Sequence, residues 1–280
     1  MMKIDIIAGA RPNFMKIAPI IHAIQEKQKY GVLVTYRLIH TGQHFDQNMS
    51  GSFFEQLDIP EPNVNLGAGG GTQAEQTASI MIGYEKLLVE ETTDLCLVVG
   101  DVTSTMACSI VAKKMNVKVA HVEAGIRSFD LTMPEEINRM VTDAITDYFF
   151  TTSETANENL IKAGVSKEAI FFVGNTMIDT LFKQMPNFQK PSFFDDFALH
   201  QGNYFVLTLH RPGNVDEKEK LKSFINEIVL NSKNLPIVFP VHPRTAKILK
   251  EIGIEYPNLK YVEPLGYLEF NYLVKNAKAV

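Results

Sequence analysis

The chain has 280 residues, 45% of them apolar and 21% charged, which gives room for about two domains and excludes collagen-like, disordered and mucin-like classes. Its 27 Lys and Arg against 32 Asp and Glu leave a net charge of −5, which disfavours a broad nucleic-acid footprint but allows local cations to hold one anionic ligand. Apolar runs such as Leu95–Val99 fall far short of the ~20 residues of a membrane span, and Ile4–Ala8 is too short and too interrupted by Asp5 for a signal segment, so a cytoplasmic protein is expected.

In chain order, short β-branched runs alternate with longer amphipathic segments, the pattern of βαβ units in a parallel sheet. Strands are predicted at Ile4–Ala8, Val32–His40, Leu95–Gly100, Val117–Val122, Tyr148–Thr151 and Ile170–Val173. Helices are expected to begin near Phe14, Asp46, Thr72, Ser104, Pro134 and Ser153, each close to a capping residue or a proline. The segment Gln184–Gly202 has two prolines, four Phe and no clean period, and reads as a packed connection between domains. Beyond it, strands at Tyr204–Leu209, Pro236–Pro240 and Leu259–Val262 alternate with helices at Glu217–Asn231, Arg244–Ile252 and Tyr267–Ala277. Ala277–Val280 resembles the entry to a further buried strand, so the second domain is expected to be incomplete. Cys96 and Cys108 are the cysteines; without CxxC spacing they read as core residues.

In open α/β sheets, ligands sit outside the carboxyl ends of the strands, so chemistry is sought there. After the first strand, Gly9–Lys16 places Arg11 and Lys16 around the first turn of a helix, a setting suited to an anion. The spacing matches neither a dinucleotide fingerprint nor a P-loop. Gln43 and His44 follow the second strand and are candidate contacts to a polar ligand, while Gly67 and Gly69–Gly71 read as a flexible loop. Three acids stand at strand or helix ends: Asp101, Glu123 and Glu135. Asp101 also fits an N-cap and Glu135 a first-turn dipole partner, whereas Glu123 precedes no helix and Arg127 is its simplest structural partner. Together the acids point to acid–base chemistry. His210 with Arg211, and His242 with Arg244, follow two strands of the second half and suit a diphosphate. No metal-ligand spacing is present, and no metal or other cofactor is expected.

Across nearly the whole chain, GARPNFMK (Gly9–Lys16), HTGQHFD (His40–Asp46), VVGDVTST (Val98–Thr105), HVEAGIRSFD (His121–Asp130), MPEEINR (Met133–Arg139), VGNTMID (Val173–Asp179), LHRPGN (Leu209–Asn214) and PVHPRT (Pro240–Thr245) resemble the non-hydrolysing UDP-N-acetylglucosamine 2-epimerases. The resemblance implies a GT-B arrangement of two Rossmann-like domains around a cleft, here 1–176 and 177–280. It also implies catalytic roles for Asp101, Glu123, Glu135 and His210, nucleotide-sugar contacts from Arg11 and Lys16, and a uridine-side contact from Phe270. In this family UDP leaves C1 to give a 2-acetamidoglucal, then re-adds as a proton returns to the other face of C2. A homodimer is implied as well. A 2-epimerase of a UDP-2,3-diacetamido-uronic acid and a non-catalytic nucleotide-sugar-binding protein are the alternatives.

Overall fold

A computed structural model describes residues 1–42, 54–209, 217–241 and 243–280, and it divides into two compact units, Met1–Lys183 and Gln184–Val280. The first unit is built on a parallel sheet of β1 (Met2–Ala8), β2 (Val34–His40), β3 (Val64–Asn65), β4 (Leu95–Val99), β5 (Lys118–Val122), β6 (Tyr148–Thr151) and β7 (Ile170–Phe172). The order is β3-β2-β1-β4-β5-β6-β7, so the winding reverses between β1 and β4. That reversal opens a crevice at the carboxyl ends of these two strands.

β4 is buried at every position, as expected of a strand covered by helices on both faces. On one face, Ile7, Ile39, Val98 and Val119 pack with Ile80, Tyr84 and Leu88 of the helix Gln73–Glu90 and Val111 of the helix Thr103–Lys114. Each large side chain so buried contributes about 1.5–3 kcal/mol of transfer free energy. Cys96 and Cys108 lie in the same cluster, fully buried, and burial pushes the Cys96 thiol up to about 12. The glycine run before this helix leads into a capping box: Thr72 Oγ1 accepts from the Glu75 amide, and Glu75 Oε2 accepts from the Thr72 amide.

Several boundaries differ from the sequence reading. The first helix starts at Arg11 rather than Phe14, because Pro12 occupies a first-turn position that needs no N–H, and Asn13 Oδ1 accepts from the Gly9 and Ala10 amides ahead of it. The helix Thr176–Gln184 was not distinguished in the sequence; Thr180 Oγ1 donates to Met15 O at 2.6 Å, which ties it to the first unit. The helix expected near Asp46 begins outside the described residues.

The second unit carries β8 (Phe205–Val206), β9 (Ile237–Pro240) and β10 (Leu259–Val262), parallel in the order β10-β9-β8. β8 is shorter than the predicted Tyr204–Leu209: Tyr204 is fully buried and its hydroxyl donates to Leu273 O, while Leu207 still donates to Val238 O beyond the assigned strand. Ala279 bridges to Phe205 in parallel. The segment Gln184–Gly202 packs as expected, and it includes a short helix, Phe193–Asp196, whose Phe194 packs with Tyr204, Val238 and Leu273. Among the described residues, no helix is long and apolar enough to cross a membrane.

Candidate active site

The carboxyl ends of β1, β4 and β5 bring together residues from the three segments that follow them in the first unit. Asn13 organises the first of them. It is 2% exposed, its Oδ1 takes the two amides after β1, and its Nδ2 donates to Val99 O at the end of β4, so it spans the crevice where the winding reverses. One turn further along the same helix, Lys16 reaches the carboxylate of Glu123, just past β5. Glu123 therefore pairs with Lys16 and not with Arg127. Its backbone has φ of +68°, a left-handed conformation that costs a residue with a Cβ about 1–2 kcal/mol. Strain of this kind persists only where the surroundings impose it, and it accumulates at functional sites.

Gly100, between β4 and Asp101, also lies in the left-handed region, with φ of +67°; a Cβ there would stand 2.9 Å from Lys16 Nζ and 3.3 Å from Glu123 Oε2. The Asp101 loop and the Lys16–Glu123 pair are thus in direct apposition. Asp101 does not cap the following helix, whose N-cap is Val102. Its carboxylate instead takes Arg139, and its carbonyl accepts from Asn138 Nδ2 at 2.8 Å.

Asn138 and Arg139 belong to the helix Pro134–Ile145, which turns polar residues inward. Glu136, Asn138, Thr142 and Asp143 are buried, whereas Ile137 and Met140 are 43% and 46% exposed. Glu135 stands in the first turn, four residues before Arg139 and so on the same face of the helix. Its neighbour Glu136 is the structural acid of the pair: its carboxylate accepts from the Ser128 and Phe129 amides, the Ser128 hydroxyl and Arg139 Nη1. Burial pushes Glu136 up, but those donors outweigh it and hold the carboxyl below its ordinary range.

Arg127 is committed elsewhere than the sequence suggested. Its Nη1 lies 2.7 Å from Asp143 Oδ2 and donates to Ile126 O. Asp143 also accepts from His121 Nδ1 and the Gly125 amide, and His121 Nε2 faces Gly100 O at 2.8 Å. Burial pushes Asp143 up, and His121 and Arg127 more than offset it, leaving the carboxyl below its ordinary range.

Asn13, His121, Glu136, Arg139 and Asp143 were missed as individual site residues. Four of them fall inside the family motifs; Asp143 lies seven positions beyond Glu136, two helical turns along the same face, which is the one signal that points to it. Gln43, His44, His210 and His242 lie outside the described residues, as do the side chains of Arg11 and Arg244. Phe270 belongs to the second unit and packs, partly buried, against its Phe194–Leu273 core. Among the described residues, no group of three or more His, Cys, Asp or Glu side chains is placed to hold a metal ion.

A doubly wound parallel sheet, with charged residues gathered where its winding reverses, is the layout of an α/β protein that keeps its ligand site at the strand ends. The chain belongs to the UDP-N-acetylglucosamine 2-epimerase family, whose model matches residues 25–280. It is 42% identical over 290 aligned residues to the UDP-N-acetylglucosamine 2-epimerase of Methanocaldococcus jannaschii, spanning 100% of this chain and 78% of that protein. The crystal structure of the M. jannaschii UDP-GlcNAc 2-epimerase in complex with UDP-GlcNAc and UDP superposes with a TM-score of 0.85, over 99% of this chain and 77% of that one. A UDP-2,3-diacetamido-2,3-dideoxy-D-glucuronate 2-epimerase of Pseudomonas aeruginosa is 38% identical over 285 aligned residues, covering 100% of this chain and 77% of that protein. The fold class is α/β, of the GT-B-like kind found in these enzymes.

Proposed function

We propose that the chain is an isomerase that interconverts UDP-N-acetylglucosamine and UDP-N-acetylmannosamine. The observation that carries this reading is the pairing of Lys16 with Glu123 beside the Asp101 loop, on adjacent strand ends of a family member. The C2 proton of an N-acetylhexosamine has no neighbouring carbonyl to acidify it, so its loss is coupled to departure of UDP from C1. A carboxylate takes the proton, the C2–H electrons form the C1=C2 bond of a 2-acetamidoglucal, and the C1–O pair leaves with UDP. On return, a diphosphate oxygen attacks C1 while an acid delivers a proton to the opposite face of C2.

Two faces of one carbon need groups on both sides, and Asp101, Glu123 and Glu135 are the proposed set. Lys16, with Arg11 and His210, is proposed to stabilise the charge that develops on the diphosphate. Gln43, His44, Arg127, His242, Arg244 and Phe270 are the further proposed substrate contacts. For Arg127 the ion pair with Asp143 favours an indirect contribution. The 38% identity to the P. aeruginosa enzyme supports a second reading, the same chemistry on a UDP-2,3-diacetamido-uronic acid.

The test is proton NMR of the protein with UDP-GlcNAc in D2O. UDP-ManNAc carrying deuterium at C2 is the expected product. Without either, the same assay on the diacetamido-uronate sugar decides between the two readings, and silence on both ends the epimerase proposal. A cytoplasmic homodimer is the proposed context, and light scattering of the purified protein reads its mass.

A further inference from the structure

Asp143 is a carboxylate 5% exposed that the proposed proton transfers do not use, yet it is bonded toward both acid-bearing loops. Oδ2 accepts from the Gly125 amide at 3.1 Å, two residues after Glu123, and pairs with Arg127 of the same loop at 2.7 Å. Oδ1 takes His121 Nδ1 at 2.7 Å, and the other ring nitrogen, Nε2, faces the carbonyl of Gly100, the residue before Asp101, at 2.8 Å. His121 is 0% exposed and held between two oxygen atoms, which fixes the orientation of its ring. A line of bonds therefore runs from Glu123's loop through one carboxylate and one imidazole ring to Asp101's loop. Gly125 is fixed from the other side by Asn159, whose Nδ2 donates to its carbonyl at 2.9 Å.

Simple neutralisation of Arg127 would need neither the Gly125 amide nor the histidine. What the full set of bonds accomplishes is to set one loop against the other. From this geometry we infer that Asp143 is a positioning residue, which through His121 and Gly125 fixes the separation of the Asp101 and Glu123 carboxylates. The inference rests on the epimerase reading above. A misplacement near 1 Å in a site of this kind costs about 100-fold in rate.

The experiment compares Asp143→Asn with the wild-type chain on UDP-GlcNAc in D2O, with thermal melts of both. The expected result is a folded variant whose kcat falls about 100-fold while KM stays within about threefold, because Lys16 is held by Glu123 and not by Asp143. Free UDP and 2-acetamidoglucal should also rise relative to epimerised product, since the intermediate waits longer for its proton. A purely structural role would lower the amount of active protein without moving that ratio.

A folded Asp143→Asn with kcat within threefold of wild type, or with an unchanged ratio of released glucal to product, overturns the inference. If Asp143→Asn does not fold, His121→Gln is read by the same criteria, since it cuts the link to Gly100 and leaves Asp143 on Gly125 and Arg127. A wild-type chain silent on both UDP-sugars overturns the epimerase reading and this inference with it; an active wild type beside an equally active variant overturns the positioning role alone.

Discussion

Lys16 Nζ rests against the Glu123 carboxylate across 107 residues of sequence, with both side chains 12% exposed. In the proposed mechanism the pair holds in one place the cation for the diphosphate and an acid for C2. Glu123→Gln keeps the shape and removes the proton chemistry, so kcat is expected to fall by at least about 100-fold. Leaving the ammonium beside a neutral amide costs about 1–3 kcal/mol, seen as a lower melting temperature. Near-normal turnover by this variant would remove Glu123 from the mechanism.

Two glycines separate backbone strain from site geometry. Gly164 has φ of +90° and open space where a Cβ would go, so Gly164→Ala is expected to cost only the conformational penalty of about 1–2 kcal/mol and to leave kcat unchanged. Gly125 has φ of +77° and a Cβ there would lie 2.4 Å from Ala156 O, a backbone atom that cannot swing aside. Gly125→Ala is therefore expected to cost more than about 3 kcal/mol in a urea titration. Equal costs at the two positions would contradict the close approach of Gly125 to Ala156.

A second buried ion pair of the first unit lies away from the carboxyl ends of the strands. Asp5, fully buried in β1, takes Arg37 Nε and Nη2 at 2.9 and 2.8 Å and the Tyr84 hydroxyl at 3.1 Å. Asp5→Asn leaves the guanidinium only the largely exposed Glu91 as charge partner and is expected to destabilise by about 3–5 kcal/mol. Three residues separate Asp5 from the end of β1, so turnover per folded molecule should stay within about twofold. Parallel loss of kcat and stability would mean that the network reaches the site.

Acid stability follows from Asp143 and Glu136, both held below their ordinary carboxyl values in the folded chain. Each contributes stability that is fully present above the unfolded value, about 4, and that is lost as pH falls through the depressed folded value. Melting temperature should therefore drop with decreasing pH below about 4, and more gently in Asp143→Asn than in wild type. Identical slopes for the two proteins would show that Asp143 is not depressed.

The strands were readable because a buried parallel strand needs a short β-branched run with turn residues around it. Tyr148–Thr151 and Leu259–Val262 match their predicted limits, and Leu95–Val99 misses by one residue. The candidate acids were readable for a related reason: a carboxylate directly after such a run stands at the edge where this sheet class keeps its ligands. Which partner each acid takes was not readable. Arg127 is four residues from Glu123 and Lys16 is 107 away, yet Glu123 takes the distant one, because the winding reversal brings the helix after β1 alongside β4 and β5.

The helix Pro134–Ile145 shows the same division. Its periodicity announces a helix, but a periodic reading assigns the apolar stripe to the core, and this helix buries Glu136, Asn138 and Asp143 instead. The loops it meets bend through left-handed residues at Gly100, Glu123 and Gly125 and leave the Gly125 amide and the Gly100 and Asp101 carbonyls to side-chain partners. Buried polar groups of that kind require polar partners. Chain order and composition decided the elements and the chemistry on offer; only the packed sheet decided which amides would be left to satisfy, and so which carboxylate met which partner.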